Sequence, residues 1–207
     1  MDRPARITRR TLLGAGLAVV LGACRRDDEE ARTGPPVAKD AETTTLSPTP
    51  ECTDADDPTP AQTEGPYFTP GSPERTSLLG DAGKGTKLVL TGTVVTTSCR
   101  QVARALLDFW QADSGGSYDN VGYRLRGHQF SDDQGRFRLE TIVPGLYPGR
   151  TRHIHVKVQP PGGKVLTTQL YFPGEAANAE DRIFRSECLI DLRDGADGKD
   201  GTYTFVV

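Results

Sequence analysis

The sequence predicts an all-β fold, one antiparallel β-sandwich with long loops over residues 62–207. Three observations predict it. Short runs rich in β-branched and aromatic residues recur from Lys87 to the C-terminus. Clusters of Gly, Pro and Asp separate them. No long segment spaces its apolar residues at the 3.6-residue period of a helix. Apolar residues make up 35% of the 207-residue chain, and the deficit falls on residues 25–60. The remaining domain of roughly 140 residues is large enough to bury a core.

Taken in order, residues 1–24 read as a targeting segment. Arg3, Arg6, Arg9 and Arg10 form a positive start, and Thr11 to Ala23 is an apolar run. That run is too short for a bilayer span of about 20 residues and fits the centre of a signal peptide. Thr8 to Leu13 resembles a twin-arginine export signal. Leu21-Gly22-Ala23-Cys24 resembles a lipoprotein box, in which Cys24 is lipidated and becomes the new N-terminus. The alternative is an ordinary secretory signal with a chance cysteine. The expectation is an exported, extracytoplasmic protein anchored to a bacterial membrane by lipid. Residues 25–61, with their acidic run, Pro35-Pro36 and Ser47-Pro48-Thr49-Pro50, read as an unstructured tether.

The strands come next. Lys87–Val95 is the first, followed by Ala105–Gln111 and Tyr123–Leu125. Asp132 to Gly135 reads as a turn between His128–Phe130 and Arg136–Ile142. Pro160-Pro161-Gly162-Gly163 joins His153–Gln159 to Lys164–Phe172, and Thr202–Val207 closes the chain. The net charge of −3 argues against a nucleic-acid partner, which requires a basic face. If Cys24 carries lipid, Cys52, Cys99 and Cys188 allow one disulfide and one spare thiol, with the pair undetermined.

His153-Ile154-His155 is the sharpest local feature. On a strand, His153, His155 and Lys157 share one face, and Ile154, Val156 and Val158 share the other. Two imidazoles so placed can reach one metal ion, although two surface histidines on an amphipathic strand give the same pattern. Tyr147 lies just upstream in the stiff loop Pro144-Gly145-Leu146-Tyr147-Pro148-Gly149. It is either a core residue on a turn or a phenolate ligand. A phenol of pKa about 10 coordinates only a strong Lewis acid, such as trivalent iron.

From Leu107 to His155 the chain resembles the intradiol ring-cleavage dioxygenases, the family of catechol 1,2-dioxygenase and protocatechuate 3,4-dioxygenase. The resemblance rests on Asp108 to Asp113 (DFWQAD), Gly116-Ser117-Tyr118, Arg124 to Gly127 (RLRG), Asp133 to Phe137 (DQGRF), Thr141 to Tyr147 (TIVPGLY) and Gly149 to His155 (GRTRHIH). Weaker agreement runs from Thr63-Glu64-Gly65-Pro66-Tyr67 to Gln169-Leu170-Tyr171-Phe172. It implies one non-haem Fe(III) held by Tyr118, Tyr147, His153 and His155. It implies a catechol-type diol and O₂ as substrates, opened to a cis,cis-muconate-type diacid.

Matched by register, Arg150 is the arginine that stabilises charge on the ring, with Arg152 its nearest competitor. Tyr147 accepts a substrate proton, and Gln169 and Tyr67 line the substrate pocket. His128 has no matching metal role. The chain lacks the family's helical N-terminal region, and Leu146 stands where many relatives have tryptophan. Those departures leave the ring substituents and the oligomeric state open. A cupin-like metal protein and a metal-free, transthyretin-like binding module are the alternatives.

Overall fold

The computed structural model describes residues 57–207. The expected signal segment, Cys24 and most of the expected tether lie outside the described residues. Within them the chain forms β1 (Lys87–Val95), β2 (Leu106–Trp110), β3 (Arg126–Phe130), β4 (Arg136–Ile142), β5 (His153–Gln159), β6 (Leu166–Tyr171), β7 (Asp191–Gly195) and β8 (Gly198–Val206). The only helical pieces among the described residues are three 3₁₀ turns of three or four residues.

The strands form two four-stranded sheets, ordered β4-β1-β8-β7 and β3-β2-β5-β6. Every pair is antiparallel except β1 with β8, which run parallel from Leu88↔Lys199 to Val95↔Val206. A parallel neighbour needs a long crossover, and the whole chain between the two strands supplies it. Thr59 N–H donates to Val206 O at 3.0 Å, so the chain joins the sandwich already at that residue.

Alternation along each strand decides what is buried. Leu107 and Phe109 of β2, Ile154, Val156 and Val158 of β5 and Leu170 of β6 face inward. They pack against Leu88, Leu90, Val94, Phe137, Leu139 and Phe205 of the other sheet. Each such side chain contributes about 1.5–3 kcal/mol by leaving water.

Two expectations are revised and one strand was not anticipated. Tyr123–Leu125 is a turn, because Asp119 draws in the N–H groups of Val121, Gly122 and Arg124 and Leu125 takes a φ of +55°. The Asp132–Gly135 turn exists, with Asp132 Oδ1 accepting from Gln134 N and Arg136 N. It links β3 to β4 across the two sheets instead of closing a hairpin. Strand β7 has no run of β-branched residues; it is an edge strand paired only to β8.

Polar residues cluster on the outer face of the second sheet, although Gln129 and Thr168 share the inner face with Leu107 and Val156. Register sets Arg126, Trp110, His155 and Gln169 directly opposite one another across β3, β2, β5 and β6. His153 faces Tyr171 in the neighbouring row.

Candidate active site

That row is covered by the chain before β1. Gln62 N–H donates to Thr167 O at 2.7 Å, and Thr168 Oγ1 donates to Pro60 O at 2.7 Å. Gln169 Nε2 donates to Thr63 O at 3.0 Å. Arg126, almost wholly buried, donates through Nη1 to Tyr67 O and through Nη2 to Asp119 O, each at 2.5 Å. One guanidinium therefore ties the segments that carry Tyr67 and Tyr118 to β3.

Tyr118 stands in the β2–β3 loop and Tyr147 in the β4–β5 loop. The loops are knit by backbone: Asp113 O accepts from Gly116 N and from Gly145 N, at 3.0 and 2.7 Å. Gln111 fastens the first loop to β4, accepting from Thr141 Oγ1 at 2.9 Å and donating to Ile142 O at 2.9 Å.

The four expected ligands come together. His153 and His155 are 4% and 3% exposed, which removes the surface-histidine alternative. Their ring centroids are 4.8 Å apart. His153 Nδ1 lies 2.6 Å from Thr151 O. A carbonyl only accepts, so the proton sits on Nδ1 and leaves Nε2 as the lone-pair nitrogen. That Nε2 is 3.1 Å from the Tyr118 hydroxyl. The His155 ring lies flat on Trp110, centroids 4.8 Å apart, and its buried Nδ1 has no hydrogen-bond partner. Tyr118 and Tyr147 meet edge to face at 5.9 Å. Tyr67 stacks on Tyr118 at 4.5 Å and shares a 2.6 Å hydrogen bond with the Tyr147 hydroxyl. The phenols are half-buried and the imidazoles buried, so the tyrosines line the open side.

Burial dominates the proton chemistry. It pulls His153 down to about 4, with the Arg150 charge acting in the same direction. It holds His155 well below the ordinary histidine range, assisted by His153 and Arg150. Both rings are neutral near pH 7, as metal ligation requires. Burial pushes the Tyr118 phenol well up, against the opposing charges of Arg150 and Arg126. The Tyr67 phenol is raised by its bond to Tyr147 and then by burial.

Arg150 and Arg152 part company here. Arg150 donates from Nη2 to Gln169 Oε1 at 2.5 Å and from Nε to Asp181 Oδ2 at 2.8 Å, beside the histidines. Arg152 is spent elsewhere, on Glu175 at 2.7 Å and on the Pro144 carbonyl. Gln169 is fully buried, with its amide engaged by Arg150, Thr63 and the Tyr171 hydroxyl. Its contacts make it a support for Arg150.

Residues 63–198 match the sequence model of the family described as Dioxygenase. The chain belongs to the intradiol ring-cleavage dioxygenases. Among solved structures, the chain is similar to the dioxygenase domain of a dioxygenase–carbohydrate-binding protein fusion from the cellulolytic bacterium Streptomyces sp. SirexAA-E. The two share 56% identity at a TM-score of 0.71, covering 73% of this chain and 98% of that one. It is also similar to 3-chlorocatechol 1,2-dioxygenase of Rhodococcus opacus 1CP, at 30% identity and a TM-score of 0.65, over 72% and 71% of the two chains. The chlorocatechol 1,2-dioxygenase of Pseudomonas putida is 29% identical over 136 residues, 54% of this chain and 52% of that protein. The protocatechuate 3,4-dioxygenase beta chain of Burkholderia cepacia is 33% identical over 119 residues, 49% of this chain and 51% of that protein. The chain thus spans about half the length of these curated relatives.

The donor set fits a hard trivalent cation. Two phenols would ionise only against a strong Lewis acid, and two neutral imidazoles would complete a set of four donors. A cupin-like site lacks support: among the described residues no three His, Cys, Asp or Glu side chains form a metal-binding group. His128 stays apart, with Nδ1 2.7 Å from Ser72 O. Cys99 is disulfide-bonded and Cys188 is the buried free thiol, which assigns the spare cysteine.

Four contributors escaped the sequence reading as parts of the site: Trp110, Arg126, Tyr171 and Asp181. Trp110 had a usable signal, since strand alternation puts it opposite Phe109 and on the histidine face. Asp181 had none, because it reaches Arg150 from a distant loop.

Proposed function

We propose that the protein is a non-haem iron(III) dioxygenase that opens a catechol-type ring between its two hydroxyl-bearing carbons. The observation that carries the reading is the meeting of Tyr118, Tyr147, His153 and His155 beside Arg150. Those four side chains would hold Fe(III), which would supply Lewis acidity toward a bound diol and make its ring reactive to O₂. Tyr118 is the permanent phenolate, its position fixed by the stack on Tyr67. Tyr147, as phenolate, takes one substrate proton on its oxygen, and the Tyr67 hydroxyl stays within hydrogen-bond reach of that atom. The second diol proton goes to solvent-derived hydroxide. Arg150 lays a fixed positive charge where the ring carbon gains electron density. The product is a cis,cis-muconate-type diacid, in which both atoms of O₂ are retained.

The test is direct. Iron-loaded protein is expected to show a visible tyrosinate-to-iron charge-transfer band, to consume O₂ with catechol and to release the diacid. A colourless loaded protein that leaves catechol intact rules the reading out. We also propose that the mature protein is exported and held at the membrane by lipid on Cys24. Replacing Cys24 by Ser is expected to move it from the membrane fraction to the soluble fraction; continued need for detergent overturns the anchor.

A further inference from the structure

Asp181 follows the 3₁₀ turn Ala176–Ala179 in the loop between β6 and β7. Its side chain is 2% exposed. Oδ2 accepts two hydrogen bonds, from Arg150 Nε at 2.8 Å and from Thr151 N at 3.0 Å, while Oδ1 accepts from Ile183 N at 3.0 Å. Thr151 is itself fully buried, and its hydroxyl donates to Asn178 Oδ1 at 2.6 Å. Its carbonyl receives the Nδ1 proton of His153 at 2.6 Å. One carboxylate therefore holds the Arg150 side chain directly and holds His153 through a single residue.

Stability alone is a weak reason for such a pair. Burying a carboxylate beside a guanidinium roughly cancels the attraction by desolvation, and an apolar pair serves a fold equally well. Orientation is a stronger reason. A guanidinium is a planar fork, and fixing Nε to Asp181 and Nη2 to Gln169 fixes the plane of the whole group. The Thr151 carbonyl likewise selects which nitrogen of His153 faces the phenols.

We propose that Asp181 is the positioning residue of the site, setting the Arg150 guanidinium and the His153 ring in one fixed relation. The inference rests on the roles given above to Arg150 and His153.

Asp181→Asn separates its two tasks. An amide oxygen in the place of Oδ2 still accepts from Thr151 N, but without the carboxylate charge it holds the Arg150 guanidinium only weakly. The variant is expected to keep its full iron complement and its KM for catechol while kcat falls about 10- to 100-fold. In an Arg150→Ala background the same change is expected to alter kcat by less than about twofold, because the group it acts through is absent. In metal-free protein, the Arg150 Nε–H resonance, assigned by its absence from Arg150→Ala, is expected to be protected from exchange and to exchange measurably faster in Asp181→Asn. Asp181→Ala removes both tasks and is expected to lower iron content as well.

Wild-type kcat in Asp181→Asn overturns the proposal, whether or not its melting temperature drops; with such a drop, the pair is one that only stabilises. Equal fold-losses in the presence and absence of Arg150 overturn it too. The two failures are distinguishable: a wild-type protein without turnover sinks the dioxygenase reading, and a turning-over wild type matched by Asp181→Asn sinks this one.

Discussion

At His153 two neighbours divide the two ring nitrogens, Thr151 O holding Nδ1 and the Tyr118 hydroxyl meeting Nε2. That division predicts unequal effects of substitution. His153→Ala and His155→Ala each delete one of the four proposed ligands and are expected to yield protein with little iron, by metal analysis after reconstitution. Tyr147→Phe is expected to retain metal through the other three while losing the oxygen that accepts a substrate proton, so colour survives and turnover does not. In the proposed mechanism Arg150→Ala touches charge that develops only during reaction. It is expected to keep iron and colour and to lower kcat by roughly 10²–10³. Wild-type turnover in that variant, measured as O₂ uptake, removes Arg150 from the mechanism. The histidine pair was legible because a period of two needs no tertiary information. The choice of Arg150 over Arg152 rested on motif register alone, and the physical separation between them lies in contacts with Asp181 on one side and Glu175 on the other.

Two loops become one element through their glycines. Gly116 sits at φ +85°, and a Cβ built on it lies 2.1 Å from Leu146 O. A Cβ on Gly145 lies 2.3 Å from Gly116 N. Side chains at either position force apart the loops that carry Tyr118 and Tyr147. Gly116→Ala is therefore expected to cost about 2 kcal/mol or more, from left-handed strain plus the clash, and to lower iron affinity with the sheets intact. Unchanged iron binding alongside a native circular dichroism spectrum counts against this coupling. The sequence marked the Pro144–Gly149 loop as stiff but said nothing of its contact with the loop at Gly116, about thirty residues away. Strands tell the same story. The β5–β6 hairpin was readable from its local Pro-Gly turn. The Asp132–Gly135 turn was equally readable, yet which sheet receives the next strand depends on pairing with β1, over forty residues away.

Across the whole domain, the buried imidazoles impose a pH dependence on the metal-free fold. An unfolded chain protonates its histidines near pH 6.5, whereas burial and the Arg150 charge hold His153 neutral down to about 4. Between those values the unfolded state binds more protons, so stability falls as pH falls. Above the upper value neither state is charged and nothing is lost. The His153 contribution reaches roughly 3 kcal/mol at the acid end, and His155, shifted in the same direction, adds to it. Carboxylates act lower. Asp119 is held at about 2 by the backbone N–H groups of Gly122, Val121 and Arg124, and what it contributes disappears only as pH falls below the usual 3.8. Asp108 works the other way, since burial raises it and favours its protonated form in the fold. Calorimetry of iron-stripped protein is thus expected to show a level melting temperature down to about pH 6.5, then a decline of roughly 6–12 °C towards about pH 4.5. The fall is expected to shrink in the double variant His153→Gln, His155→Gln. Iron loading is expected to suppress it as well, because a ligated imidazole takes a proton only when the metal leaves. A metal-free protein whose melting temperature stays level across that interval contradicts the burial of the two rings, and with it the site they build.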